Sequence, residues 1–118
     1  MPKNGQYDLE ERTLKFARSV REFVRMLPKD ICNVEDSKQL TRSSGSVGAN
    51  YIEANEALSK KDFRMRIKIS RKEAKESRFW LNLVDTRESQ KLEVQRENLI
   101  QESTELLKIL SSILINTQ

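Results

Sequence analysis

The sequence contains no histidine, one cysteine, two prolines and three glycines among its 118 residues. Without histidine there is no imidazole for a catalytic triad, a general base or a zinc ligand. Cys32 alone can form neither an intrachain disulfide nor a multi-cysteine metal site. The chain also lacks a glycine-rich phosphate loop and a nucleophile elbow. We therefore expect no enzyme activity, no metal and no cofactor.

Turn-forming residues are rare along most of the chain. Pro2 and Pro28 both lie in the first quarter, and after residue 29 only Gly45 and Gly48 interrupt the sequence. A sheet protein of this length would need turn residues at regular intervals. The sequence therefore predicts a single all-α domain built from a few long helices.

Long apolar runs are also missing. The longest uncharged segments, residues 43–52 and 109–118, are each about half of the roughly 20 apolar residues that a membrane span needs. The first residues lack the basic and then apolar layout of a secretory signal. These features predict a soluble, cytoplasmic protein.

Apolar residues at spacings of three and four predict four helices, at about residues 8–27, 36–58, 60–85 and 92–116, after a disordered lead-in at residues 1–7. Asp8 with Glu11 and Asp36 with Gln39 have the spacing of a capping box, and Ser59 with Asp62 marks the third start. Four amphipathic helices with short connections predict an antiparallel up-down-up-down four-helix bundle.

The predicted core consists of one stripe from each helix. The stripes are Phe16, Val20, Phe23 and Leu27; Leu40, Ser44, Val47, Tyr51, Ala54 and Leu58; Phe63, Ile67, Ser70, Ala74, Ser77, Leu81 and Val84; and Leu99, Ser103, Leu106, Leu110 and Ile113. Residues 43–49 (SSGSVGA) read as a small helix face that a neighbouring backbone approaches closely. The alternative is a flexible loop at residues 43–48.

The third helix carries more apolar residues than one core requires. A cluster that includes tryptophan and phenylalanine often marks an interface, which predicts self-association. Alternatively, Trp80 and Ile69 widen the core within one chain. The predicted interface residues are Met65, Ile69, Phe79, Trp80 and Leu83.

The third helix also carries most of the positive charge. Residues 60–78 contain nine basic and three acidic residues, and six of the basic residues follow a spacing of three and four along one face. Like charges in a row repel each other, so this arrangement favours an anionic partner, with nucleic acid as the leading candidate. The alternative is a solvated face or one neutralised by acidic residues of other helices. The predicted nucleic-acid-binding residues are Lys61, Arg64, Lys68, Arg71, Lys75 and Arg78.

Paired carboxylates occur at Glu53 and Glu56 and at Glu73 and Glu76. Bundles that hold two metal ions use Glu-x-x-His pairs, and this chain has no histidine. The carboxylates are therefore expected to form ion pairs, with Arg42, Arg66 or Arg71 as partners.

Residues 40–84 resemble the four-helix-bundle family encoded by intervening sequences of bacterial 23S rRNA genes. The matching elements are residues 49–54 (ANYIEA), Ser59, Asp62 with Phe63, residues 72–76 (KEAKE) and Trp80 with Leu81. The resemblance implies an antiparallel bundle that assembles into a homopentamer with a central channel. It also implies a relationship to the accessory variability determinant of diversity-generating retroelements, which binds a reverse transcriptase and nucleic acid. The family supplies no catalytic residues.

Three functions remain open from the sequence. The leading hypothesis is a non-enzymatic homo-oligomer that binds RNA or DNA phosphates through the basic row, without reading bases. The first alternative is a protein-interaction scaffold or accessory subunit, for example of a reverse transcriptase. The second is a structural oligomer that makes no nucleic-acid contact.

Overall fold

The computed structural model describes residues 5–118, with side chains from Leu9 onward. These residues form four helices, α1 (Gly5–Met26), α2 (Ile31–Asn55), α3 (Lys60–Leu83) and α4 (Gln90–Asn116), and no strand. The predicted all-helical fold is confirmed. No helix within the described part of the chain is both long and apolar enough to cross a membrane.

The first two helices begin earlier than their capping-box spacings predicted. Helix α1 begins at Gly5, so the prediction of a disordered lead-in is wrong for residues 5–7. Residues 1–4 lie outside the described residues. Helix α2 begins at Ile31 because the Asp30 side chain accepts a bond from the Asn33 amide at 2.8 Å. The predicted start at Asp36 is therefore wrong.

Serine side chains cap the other two helices. Ser59 accepts a bond from the Asp62 amide at 3.0 Å, which confirms the predicted start of α3. Ser89 accepts a bond from the Leu92 amide at 3.3 Å and starts α4. Each cap satisfies a backbone donor that has no partner within its helix.

One core joins all four helices. The predicted stripe of α1 is buried in full, and Leu40, Val47, Ile67 and Leu106 are completely buried. The prediction that Leu58 continues the α2 stripe is wrong, because α2 ends at Asn55 and Leu58 is 98% exposed. Within the described residues, α1 and α3 each pack against both α2 and α4.

Helix α2 continues without a break through Gly45 and Gly48, so the alternative of a loop at residues 43–48 is wrong. A Cβ atom at Gly48 would lie 2.7 Å from Thr13 Oγ1 of α1. On the other side of α2, Ser70 Oγ of α3 donates to the Val47 carbonyl at 2.7 Å. Small side chains therefore let α1 and α3 approach α2 closely.

Asn33 joins the two loops at one end of the molecule. Its amide nitrogen donates to the Pro28 and Asp85 carbonyls, each at 2.8 Å. Its amide oxygen accepts from the Asp85 backbone N–H at 2.9 Å. Because Asn33 is buried, these bonds replace contacts with water and hold the α3–α4 connection against the start of α2.

Candidate nucleic-acid interface

The predicted basic row divides into arginines that contact α4 and lysines that do not. Arg64 donates through Nη1 to the Leu114 carbonyl at 2.6 Å and to Thr117 Oγ1 at 3.1 Å. The Leu114 carbonyl belongs to the last turn of α4, where backbone acceptors lack partners within the helix. Arg64 therefore caps the carboxyl end of α4 while remaining part of the row.

The other two arginines repeat this arrangement at intervals of seven residues. Arg71 Nη1 donates to Ser111 Oγ at 3.3 Å, and Arg78 Nη1 donates to Thr104 Oγ1 at 3.2 Å. Seven residues are about two helical turns, so the three guanidinium groups lie along one edge of α3. Hydroxyl and carbonyl partners orient these groups without neutralising their charge.

The three lysines of the row, Lys61, Lys68 and Lys75, are exposed. Their ammonium groups make no hydrogen bond to any part of the chain that the structure describes. A lysine ammonium has three rotatable donors on a flexible stem, so each can reach an anion beside α3. The row therefore combines oriented arginines with adjustable lysines.

Glu73 and Glu76 of α3 lie towards α2. Arg42 of α2 approaches Glu73 at 3.2 Å and Glu76 at 2.9 Å, which confirms the predicted pairing of these carboxylates with Arg42. Arg66 donates to Asn50 and Arg71 to Ser111, so neither takes the carboxylate partner that was expected as an alternative.

Within residues 9–118, no member of the row forms an ion pair with a carboxylate. The alternative that acidic residues of other helices neutralise the row is therefore wrong for the described side chains. The described residues also contain no group of carboxylate or cysteine side chains placed to hold a metal ion.

A groove of about 440 Å³ runs between α3 and α4 beside the row. It is lined by Lys68, Arg71, Lys72, Lys75, Arg78, Leu107 and Ser111. An adjoining groove of about 460 Å³ continues along α4 past Thr104, Lys108 and Ser112. We call these two depressions together the basic groove. Cations and hydroxyl groups are the side chains that contact phosphate oxygens, and the lining contains no carboxylate.

The α4 half of the basic groove was not predicted from the sequence. Thr104 and Ser111 are seven residues apart, as are Arg71 and Arg78, so the two helices present matching intervals to each other. This shared spacing was visible in the sequence. Recognising it required the register between α3 and α4, which only the packed structure supplies.

The five predicted interface residues differ in their exposure. Met65, Phe79 and Leu83 are 49%, 58% and 51% exposed. Ile69 and Trp80 are partly buried, and Trp80 packs against the core, as the alternative reading of that residue expected. The Trp80 ring also contacts Phe79 edge to face, with ring centroids 5.0 Å apart.

The chain matches a known protein family in sequence. The family model described as 23S rRNA-intervening sequence protein matches residues 6–112. The chain belongs to this family. The match extends over nearly the whole described structure and confirms the resemblance found in residues 40–84. No protein of curated function matches the chain in sequence.

A solved relative of the chain has the same fold. It is a protein of unknown function from the S23 ribosomal protein family of Bacteroides thetaiotaomicron, with a crystal structure at 1.70 Å resolution. The two chains are 33% identical, and the superposition covers 89% of this chain and 96% of the relative, with a TM-score of 0.75.

Proposed function

We propose that this protein is a non-enzymatic homo-oligomer that binds RNA or DNA phosphates through the basic groove. The observation that carries the proposal is the concentration of positive charge in the groove: five cationic side chains of α3 line one depression whose lining contains no carboxylate. Among the described side chains, only Lys72 of these five approaches a carboxylate, that of Glu73 at 3.9 Å. An isolated fold gains nothing from gathering like charges, whereas a polyanion provides the missing countercharge.

Phosphate contacts explain both halves of the basic groove. Binding would release counterions from the nucleic acid, and this release favours association strongly at low salt. The α4 hydroxyl groups of Thr104 and Ser111 hold Arg78 and Arg71 in place before the ligand arrives, which lowers the cost of ordering them. Since the sequence contains no base-reading motif, binding should be independent of base sequence.

The proposed molecule is an up-down-up-down bundle that assembles into a homopentameric ring in the cytoplasm. The reversed order of contacts between consecutive helices supports this topology: Glu10 meets Asn55, and Ser43 meets Ser77. Exposed Met65 and Leu83 support assembly. A ring would repeat the basic groove on every subunit and raise avidity for a long polyanion. A monomer at micromolar concentration, measured by light scattering, would contradict the homopentameric ring.

The description of the solved relative as a member of the S23 ribosomal protein family agrees with an RNA partner. The second candidate function is that of a protein-interaction scaffold, for example an accessory subunit of a reverse transcriptase. It is favoured by a second depression of about 590 Å³ between α1 and α2, which Val24, Leu27 and Val34 line with apolar surface. Such a surface suits a protein partner.

The deciding experiment measures affinity for DNA and RNA across a range of salt concentrations. In the test variant, Lys61, Lys68 and Lys75 are replaced by glutamine, because these exposed lysines bond no other described group. The matched control replaces Lys15, Lys29 and Lys91, three exposed lysines on other surfaces, and removes the same charge.

The test variant should bind more weakly, and the slope of log affinity against log salt should flatten by up to about 0.9 per lost contact on duplex DNA and about 0.7 on single strands. The control variant should change far less. Equal behaviour of the two variants would show that only net charge matters, and the scaffold function would replace the proposal.

A further inference from the structure

Phe79 is an exposed aromatic ring at the end of the lysine-bearing face of α3. It follows Lys75 by four residues, which places the two side chains on the same face about 6 Å apart along the helix axis. Its ring is 58% exposed, yet Trp80 holds it edge to face at an interplanar angle of 79°. Trp80 in turn packs against the core, so the Phe79 ring is oriented before any ligand binds.

An interface between two copies of the chain is a poor use for this ring. Lys72 and Lys75 share its face, and covering Phe79 with protein would also cover these ammonium groups. Removing charges from water is costly unless each gains a close countercharge. Of the carboxylates nearest in α3, Glu73 is shared between Arg42 at 3.2 Å and Lys72 at 3.9 Å, and Glu76 is paired with Arg42. Lys75 therefore has no carboxylate partner among the described side chains. A ligand that carries both negative charges and flat apolar rings satisfies all of these side chains together.

We infer that Phe79 is a stacking platform for an unpaired base, and that the basic groove therefore selects single-stranded nucleic acid. This inference rests on the proposed phosphate binding and adds the class of ligand. In a duplex the faces of the bases are covered by their neighbours, so a ring on a protein surface can stack on them only by separating two base pairs, which is costly. In a single strand every base has a free face, and stacking does not depend on base identity.

The position of Phe79 suits this role because phosphates and bases alternate along a strand. A strand whose phosphates lie along Lys68 and Lys75 places its next base beyond Lys75, where the Phe79 ring lies. The arginines on the α4 side of the groove reach the same backbone from its other edge. The lysines and arginines thus supply affinity for any polyanion, while Phe79 supplies the preference for unpaired strands.

The test compares Phe79→Leu with Phe79→Tyr on an oligo(dT) of about 16 nucleotides and on a duplex of equal length. Leucine keeps an apolar side chain but has no flat ring, whereas tyrosine keeps the ring. Phe79→Leu should bind oligo(dT) roughly 5- to 140-fold more weakly, as expected for the loss of one base stack. It should bind the duplex as the unmodified protein does, and Phe79→Tyr should retain affinity for both ligands.

Trp80 provides a second measurement, because it is the only tryptophan of the chain and contacts Phe79. Oligo(dT) should change its fluorescence in the unmodified protein and much less in Phe79→Leu, while the duplex should have little effect on either. Val94→Ala removes an exposed apolar side chain from α4, outside the basic groove and the predicted interface, and should leave binding unchanged.

Unaltered oligo(dT) affinity in Phe79→Leu would overturn the stacking role, as would an equal loss on both ligands or a change of oligomeric state in that variant. The proposed phosphate binding does not depend on these results, because the lysine variants test it separately.

Discussion

The guanidinium of Arg64 lies 2.6 Å from the carbonyl oxygen of Leu114, so one residue of the basic row also closes the last turn of α4. A cation at a helix carboxyl end is favoured both by the hydrogen bond and by the helix dipole. The row is therefore not uniform: its arginines stabilise the fold, and its lysines are free to serve a ligand.

Replacing Arg64 with glutamine should lower the free energy of unfolding by about 1.5 kcal/mol, the lower end of the contribution of a hydrogen bond to a charged group, because the site is partly exposed. Lys61→Gln removes the same charge one turn earlier and should change stability by less than about 0.5 kcal/mol. Urea denaturation of both variants measures the difference. Equal stabilities would show that the Arg64 cap contributes nothing.

The two helical glycines of α2 should respond in opposite directions to alanine. At Gly45 an added Cβ meets only the Arg21 guanidinium, with Nη2 at 3.5 Å and Nη1 at 4.0 Å, so the better helix propensity of alanine should stabilise the protein by about 0.5–1 kcal/mol. At Gly48 the added Cβ would lie 2.7 Å from Thr13 Oγ1, whose hydroxyl is bonded to the Leu9 carbonyl. That clash should outweigh the propensity gain.

Gly48→Leu should be worse still, with a loss of roughly 1–3 kcal/mol from overpacking. Thermal melts of the three glycine variants give the comparison, and Thr13→Ala in the Gly48→Ala background should recover part of the loss. A Gly48→Leu protein that melts like the unmodified chain would mean that α1 and α2 are not in close contact at this point.

The sequence predicted the helices best where the apolar period was strong. The Phe16, Val20 and Phe23 stripe needed no knowledge of its partners, because a three-four period leaves only one face to bury. The start of α2 was missed because Asp36 and Gln39 imitate a capping box, while the true cap, Asp30, precedes residues with no apolar period. Local spacing alone could not choose between two acceptable caps.

The candidate site was predicted only in part, for a similar reason. The spacing of the row identified which residues share a face, but Arg71 and Lys68 look alike in the sequence. Their different roles depend on Ser111, forty residues further along the chain, and on how α4 is placed against α3. Residue spacing within one helix carries no information about the register of its neighbour.

Asn33 should be among the most sensitive polar residues of the fold. Asn33→Leu keeps a similar volume but removes all three bonds to the Pro28 and Asp85 backbone groups, which leaves them unpaired near the core. We expect a loss of about 2–3 kcal/mol. Asn33→Asp keeps the acceptor for the Asp85 amide but offers no donor, and it should also destabilise. Chemical denaturation of both variants tests this, and an Asn33→Leu protein of normal stability would contradict a structural role for the bridge.

Stability should fall in acid partly because of Glu93. The hydrogen bond from Thr86 Oγ1 lowers the pKa of Glu93 below its ordinary value of 4.5, and the neighbouring Arg96 acts in the same direction. Because the pKa is lower in the folded state than in the unfolded state, the stabilisation is complete above pH 4.5 and disappears as the pH falls through the lowered folded-state value.

Glu93→Gln cannot titrate, so its unfolding free energy should vary less with pH over that acidic range than the unmodified protein's. Glu97→Gln, at an exposed residue that forms no ion pair with other described side chains, is the matched control and should keep the original profile. Urea denaturation at a series of pH values measures all three proteins. If Glu93→Gln lost stability in acid as steeply as the control, the contacts of Glu93 with Thr86 and Arg96 would not favour its ionised form. The acid sensitivity would then come from other carboxylates. Asp30 would be the first of these to examine, because the hydrogen bond from the Asn33 amide lowers its pKa.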